Sequence, residues 1–197
     1  MRKEDFEWIH SWCDLAKNND LPRVLLIGDS ITWGYQEKVR NCLKGFCYVD
    51  FLSTSYSIDN PFYSKLIKNF VTNSSYDLVH FNFGLHGKHI SEKSFNTRIR
   101  KILSFIEDNC KKLVIGNITN VNNVGNKKPN LSWTKRVNER NKIYNQIALE
   151  NNIKINDLHE LALSFDKSLR KDDGVHYEDQ GYEIFAKKVS EFIKENI

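Results

Sequence analysis

Short apolar runs of strand length alternate with amphipathic stretches of helix length from residue 23 to the C-terminus, and this order restricts the possible folds more than any other feature of the chain. The apolar runs lie at 23–28, 47–52, 77–82, 113–117 and 153–156. Each carries Val, Ile, Leu or Phe on both alternating positions, the pattern of strands covered on both faces, so a parallel sheet of about five strands is expected. The stretches at 33–43, 61–72, 92–108, 132–151 and 180–195 have helical spacing, and another helix is predicted at about 4–17. Asn60 before Pro61 and Ser91 before Glu92 are suitable helix caps. The Asn-rich segment 117–130 reads as a long loop over the sheet edge.

With 197 residues and no Pro-, Gly- or Ser-rich linker, the chain is expected to form a single domain over 1–197. Hydrophobic residues make up 40% of it, including 12 Phe, 8 Tyr and 4 Trp, which suffices for a core without metal or disulfide support. Cys13, Cys42, Cys47 and Cys110 show no metal-binding or disulfide spacing and read as reduced thiols. The first residues lack the apolar run of about 7 to 15 residues of a secretory signal, and no run nears the roughly 18 that span a bilayer. A cytoplasmic location without a membrane partner is the resulting expectation. Net charge is +4, but 29 basic residues are interspersed with 25 acidic ones, so no nucleic-acid partner is expected. The densest basic group, Lys127, Lys128, Lys135, Arg136 and Arg140, reads as a solvated loop and helix face. Oligomeric state is left open.

Two short motifs carry chemistry. Gly28-Asp29-Ser30 follows the first apolar run, and Asp173-Gly174-Val175-His176 precedes the last helix. Alone, the first is a helix cap and the second an ordinary turn. Together they supply a hydroxyl, a base and an orienting carboxylate in the order Ser, Asp, His, at strand ends that a parallel sheet gathers on one rim. Ser30 is the candidate nucleophile, His176 its base, and Asp173 the carboxylate behind the base. A helix N-terminus beside Ser30 offers free amides to a developing oxyanion.

These residues resemble the SGNH hydrolases, or GDSL esterases and lipases. Ile27-Gly28-Asp29-Ser30-Ile31-Thr32 is similar to the family's first block, and Asp173-Gly174-Val175-His176 with Gln180-Gly181-Tyr182 is similar to its last. The resemblance implies a flavodoxin-like three-layer α/β/α fold and ester hydrolysis through an acylated Ser30, without metal or other cofactor. Two middle blocks depart from the pattern. No Gly occurs in 50–60, where the family has an oxyanion Gly, and Ser55 is the replacement by position. In place of Gly-x-Asn-Asp stands Gly84-Leu85-His86-Gly87, which puts His86 at the oxyanion Asn, with Asn82 the other candidate side-chain donor and Gly84 a further oxyanion or substrate-binding candidate. His80, His86 and His89 lack an interleaved acidic ligand, which disfavours a metal site. No Gly-x-Gly-x-x-Gly or Walker sequence is present. Trp33, Tyr35, Trp133 and Tyr177 flank the rim loops and serve either packing or a sugar or acyl wall.

The expected activity is hydrolysis of a small acyl ester, such as O-acetyl on a carbohydrate. An O-acyltransferase using the same three residues and a catalytically silent binding module are the alternatives.

Overall fold

In the computed structural model, residues 3, 5–125 and 128–197 are described. Six strands form one sheet: β1 (Ile9–Trp12), β2 (Arg23–Gly28), β3 (Tyr48–Thr54), β4 (Leu78–Asn82), β5 (Leu113–Gly116) and β6 (Lys154–Asn156), in the order β1-β3-β2-β4-β5-β6. Every pairing is parallel except that of β1 with β3. The helices are α1 (Ser30–Cys42), α2 (Pro61–Val71), α3 (Glu92–Glu107), α4 (Leu131–Asn151), α5 (Leu158–Leu163) and α6 (Asp179–Lys194).

The central strands form where every residue can be buried. Every residue of β2, β3, β4 and β5 is buried, so both faces of the sheet must be covered. Connection handedness says how. The step from β2 to β3 runs one way along the sheet, and the steps from β3 to β4, β4 to β5 and β5 to β6 run the other. Right-handed crossovers therefore place α1 on one face and α2, α3 and α4 on the opposite one. Accordingly α6 packs against α1, while α3 touches both α2 and α4. The result is a three-layer α/β/α arrangement. Asn60 caps α2 through a 2.9 Å bond from the Phe62 amide, and Ser91 caps α3 at Ser94, as the sequence indicated.

Three expectations need correction. Segment 4–17 is not helical: residues 9–12 pair antiparallel with β3, Ile9 opposite Thr54 and Trp12 opposite Phe51, and add a sixth strand, while Glu4 lies outside the described residues. Trp8, His10 and Trp12 recur with the period of two that a strand requires, and pairing with the open edge of β3 outweighs the helical spacing of the other residues. Between β6 and α6, where the sequence pattern predicts no element, lie α5 and a 3₁₀ turn at Lys167–Leu169, both too short to show a helical period. Arg140 is not solvated but wholly buried on α4. Lys127, from the same basic group, and residues 126–127 of the Asn-rich loop lie outside the described residues.

At the amino end of the sheet, Arg23 donates 2.8 Å to Asp50 and 2.7 Å to the Asp14 carbonyl, and Tyr76 donates 2.9 Å to the other Asp50 oxygen. This buried ion pair fixes the chain between β1 and β2. At the carboxyl end, β2 and β4 are neighbours whose outgoing connections leave in opposite directions. A crevice opens where connections diverge like this. Ser30 follows β2, and 83–90 follows β4. Among the described residues, no helix is long and apolar enough to cross a membrane.

Candidate active site

Asp29 caps α1 and ties it to the neighbouring loop. One carboxylate oxygen accepts 3.1 Å from the Ile31 amide, and the other accepts 3.3 Å from each of the Gly84 and Leu85 amides. Ser30 is thereby fixed at the first helical position, where a backbone N–H has no intrahelical acceptor.

The second motif is held by its own turn. An antiparallel bridge between Arg170 and Tyr177 closes the loop, and the Lys171 amide donates 3.0 Å to the His176 carbonyl. Asp173 accepts from the Val175 and His176 amides at 2.8 and 2.9 Å on one oxygen, which is why carboxylate and imidazole stand three residues apart. Gly174 has φ +77°, and a Cβ there would collide with the Asn122 carbonyl. The Asn122 amide in turn donates 2.8 Å to the Gly174 carbonyl, so this backbone braces the turn.

Across 146 residues of sequence, the two motifs meet. His176 Nδ1 lies 2.7 Å from the free oxygen of Asp173, and Nε2 lies 2.8 Å from Ser30 Oγ. A carboxylate only accepts, so Nδ1–H donates to Asp173 and leaves Nε2 of the neutral ring to accept the Ser30 hydroxyl proton. Partial burial opposes ionisation of Asp173, but the hydrogen bonds from the His176 amide, its ring and the Val175 amide outweigh it and hold the carboxyl below its ordinary value. The arrangement can transfer a proton from hydroxyl to imidazole beside a fixed negative charge.

This relay opens into a cleft of about 370 Å³ lined by Ser30, Trp33, Gly34, Lys171, His176 and Tyr182. Trp33 is one helical turn from Ser30 and 46% exposed, although a tryptophan ordinarily hides more of its surface. Strand β1 supports it. His10 stacks on Trp33 at 3.9 Å between centroids, and Trp8 stands 5.6 Å from Trp33 and 6.2 Å from His86. Trp8 and His10 were overlooked because they precede the parallel core, although their alternation was visible. Tyr35 and Tyr177 are core residues, and Trp133 is partly buried against the core.

The four oxyanion candidates are held in different ways. Asn82 gives both amide protons to the Gly116 and Asn117 carbonyls at 2.9 Å, joining the ends of β4 and β5. The Ser55 hydroxyl accepts 2.8 Å from the Trp8 amide and donates to the Phe6 carbonyl, while its own amide donates to the Trp8 carbonyl. Ser55 thus anchors β1. The Gly84 amide is taken by Asp29. His86, half-buried between Trp8 and Phe83, stands in the loop that Asp29 draws toward Ser30. Of the other histidines, His80 is enclosed in the sheet next to Asn156, and burial pushes its pKa down to about 4, while His89 pairs with Asp59 at 2.9 Å.

No family model matches the sequence, and no curated protein resembles it. Solved structures do resemble its fold. A lipase/acylhydrolase from Enterococcus faecalis superposes with a TM-score of 0.70 at 17% identity, over 89% of this chain and 96% of that one. A member of the lipolytic protein G-D-S-L family from Veillonella parvula gives 0.68 at 21% identity, over 87% and 98%. An acetylxylan esterase from Geobacillus stearothermophilus gives 0.70 at 15%, over 88% and 93%. The chain has the three-layer fold of the SGNH hydrolases.

Proposed function

We propose that this chain is a serine esterase that hydrolyses a small acyl ester, with Ser30 as nucleophile, His176 as general base and acid, and Asp173 as the carboxylate that orients and stabilises the imidazolium. The unbroken hydrogen-bond chain from Asp173 through His176 to Ser30, ending in an open cleft, carries this reading. His176 takes the Ser30 proton as the hydroxyl oxygen attacks the ester carbonyl. The tetrahedral oxyanion is met by the Ser30 amide at the start of α1 and by the His86 imidazole N–H. His176 then protonates the departing alcohol, and water repeats the cycle on the acyl-enzyme. Asp173 needs no proton in this scheme, in keeping with its lowered pKa.

An O-acetyl group on a carbohydrate is the substrate we favour. The exposed Trp33 face beside Ser30 is a stacking surface of the kind that sugar rings use, and one structure of similar fold is an acetylxylan esterase. A fluorophosphonate probe tests the chemistry directly. The native chain is expected to be labelled on Ser30 and Ser30→Ala to stay unlabelled; an unlabelled native chain leaves only the binding module. Product analysis with competing sugar acceptors separates hydrolysis from acyl transfer.

A further inference from the structure

The cleft beside Ser30 is walled by groups of different character. Trp33, Gly34 and Tyr182 make its neutral part: Gly34 lets the Tyr182 ring approach α1 where a Cβ would collide with it, and burial keeps the Tyr182 hydroxyl protonated well beyond neutral pH. Lys171 brings the one permanent charge to the lining.

Lys171 is placed by its backbone. Its amide donates 3.0 Å to the His176 carbonyl and its carbonyl accepts 3.1 Å from the Gly174 amide, which fixes its main chain on the turn that carries His176. From there the exposed side chain presents a compact cation on a flexible four-carbon stem. Among the described residues, no carboxylate pairs with this ammonium. The carboxylate of Asp173 is occupied by two amides and the His176 ring, and Asp172 is exposed to solvent outside the cleft lining. Lys38, one turn beyond Gly34 on α1, shows the contrast: it is paired with Asp179 at 2.7 Å and Glu183 at 3.7 Å.

An uncompensated ammonium in a partly apolar cleft selects for negative charge in what binds there. The chemistry says which half of the ester carries it. His176 hands its proton to the departing oxygen, so the alcohol half lies on the His176 side of Ser30, and Lys171 belongs to that same turn.

We propose that Lys171 is a specificity-determining residue and that the alcohol half of the ester is a ring bearing a carboxylate: the ammonium pairs with the carboxylate while Trp33 covers the ring. The substrate class is then an acetylated sugar acid in preference to an acetylated neutral sugar. The inference rests on the esterase reading and adds to it the charge of the substrate.

Two aryl acetates test this, 3-carboxyphenyl acetate and its methyl ester, which differ in charge on the alcohol half. The readout is the ratio of their kcat/KM values, compared between native chain and variants so that intrinsic reactivity and any general loss divide out. Lys171→Gln is expected to lower that ratio about tenfold, mostly through the KM of the anionic ester, because the pairing forms on binding and persists through the reaction. Lys171→Arg should keep the ratio within about threefold of native, and Lys171→Glu should lower it further than Gln does. Raising salt from about 0.05 to about 0.5 M should shrink the ratio in the native chain and leave it level in Lys171→Gln, which tests the charge without relying on the fold of one variant. A ratio that is the same in native, Gln and Glu chains, or a native ratio indifferent to salt, would overturn the proposal. Failure of the esterase reading shows separately, as absent turnover of both esters and absent Ser30 labelling by the fluorophosphonate in the native chain.

Discussion

At the amino end of the sheet, Asp50 sits against Arg23, a backbone amide and the Tyr76 hydroxyl, and both charged side chains are almost wholly buried. At the carboxyl end, Asp173 sits against two backbone amides and His176, with 47% and 37% of the two side chains still exposed. The two arrangements are built alike: a carboxylate, at least one backbone amide donating to it and a cationic or ionisable partner. They differ in what lies beyond the partner. The fork of Arg23 ends on carbonyls of Asp14, Leu15 and Asn18, all acceptors, so nothing in it can react. The ring of His176 ends on a hydroxyl that faces a cleft. Closure produces a structural joint, and an open end beside a cavity leaves a group that can react.

Substitutions separate the two ends. Ser30→Ala is expected to reduce kcat on an activated acetyl ester by about 10⁴-fold or more, while the melting temperature stays within a degree or two of native. Turnover near native in that variant would place the nucleophile elsewhere. Asp50→Ala is expected to do the reverse. It leaves a buried guanidinium unpaired, should cost about 3 to 5 kcal/mol in denaturant unfolding, and should leave the kcat of the folded fraction untouched. A comparable loss of kcat would erase the contrast. His86→Ala is expected to lower kcat about 10²-fold with little change in KM, since its bond forms in the transition state; an effect on KM alone would reassign it to substrate binding.

A further effect concerns a histidine that belongs to neither end. His80 is held neutral by burial, with a folded pKa of about 4 against an ordinary 6.5. Because its folded pKa is depressed, the unfolded chain binds the proton more readily. Stability is therefore expected to fall as pH drops from about 6.5 to about 4 and to lose nothing more to this group below that, by about 3 kcal/mol in all. His80→Gln should flatten that part of a urea-unfolding pH profile. An unchanged slope would assign the acid sensitivity to other groups.

The sheet was legible wherever burial on both faces forces a continuous apolar run. Residues 23–28 are strand β2 to the residue, and helices α2 and α3 begin at the expected caps. Strand β1 was not legible as such, because an edge strand with one covered face has too little apolar content to be told from an amphipathic helix over so short a span. At the site, the proximity of Ser30, Asp173 and His176 followed from order and topology. What Asn82 and Ser55 do did not, since a polar residue at a strand end serves equally as donor to substrate or as staple between loops, and only the positions of the Gly116, Asn117 and Trp8 backbones decide. Arg140 misled for a related reason. Its charge suggested solvent, and the carbonyls that draw it inward lie about 55 residues earlier, beyond any local pattern.

Strand β1 also bears on how the chain tolerates trimming. A version beginning near residue 20 would retain the serine, histidine and aspartate intact, yet it would lose Trp8 and His10 from behind Trp33 and free the outer hydrogen-bonding row of β3. An unprotected row of that kind recruits other strands. The shortened chain should thus combine a surviving reaction centre with altered selectivity and a tendency to self-associate, so its N-terminal segment serves as wall and edge guard at once.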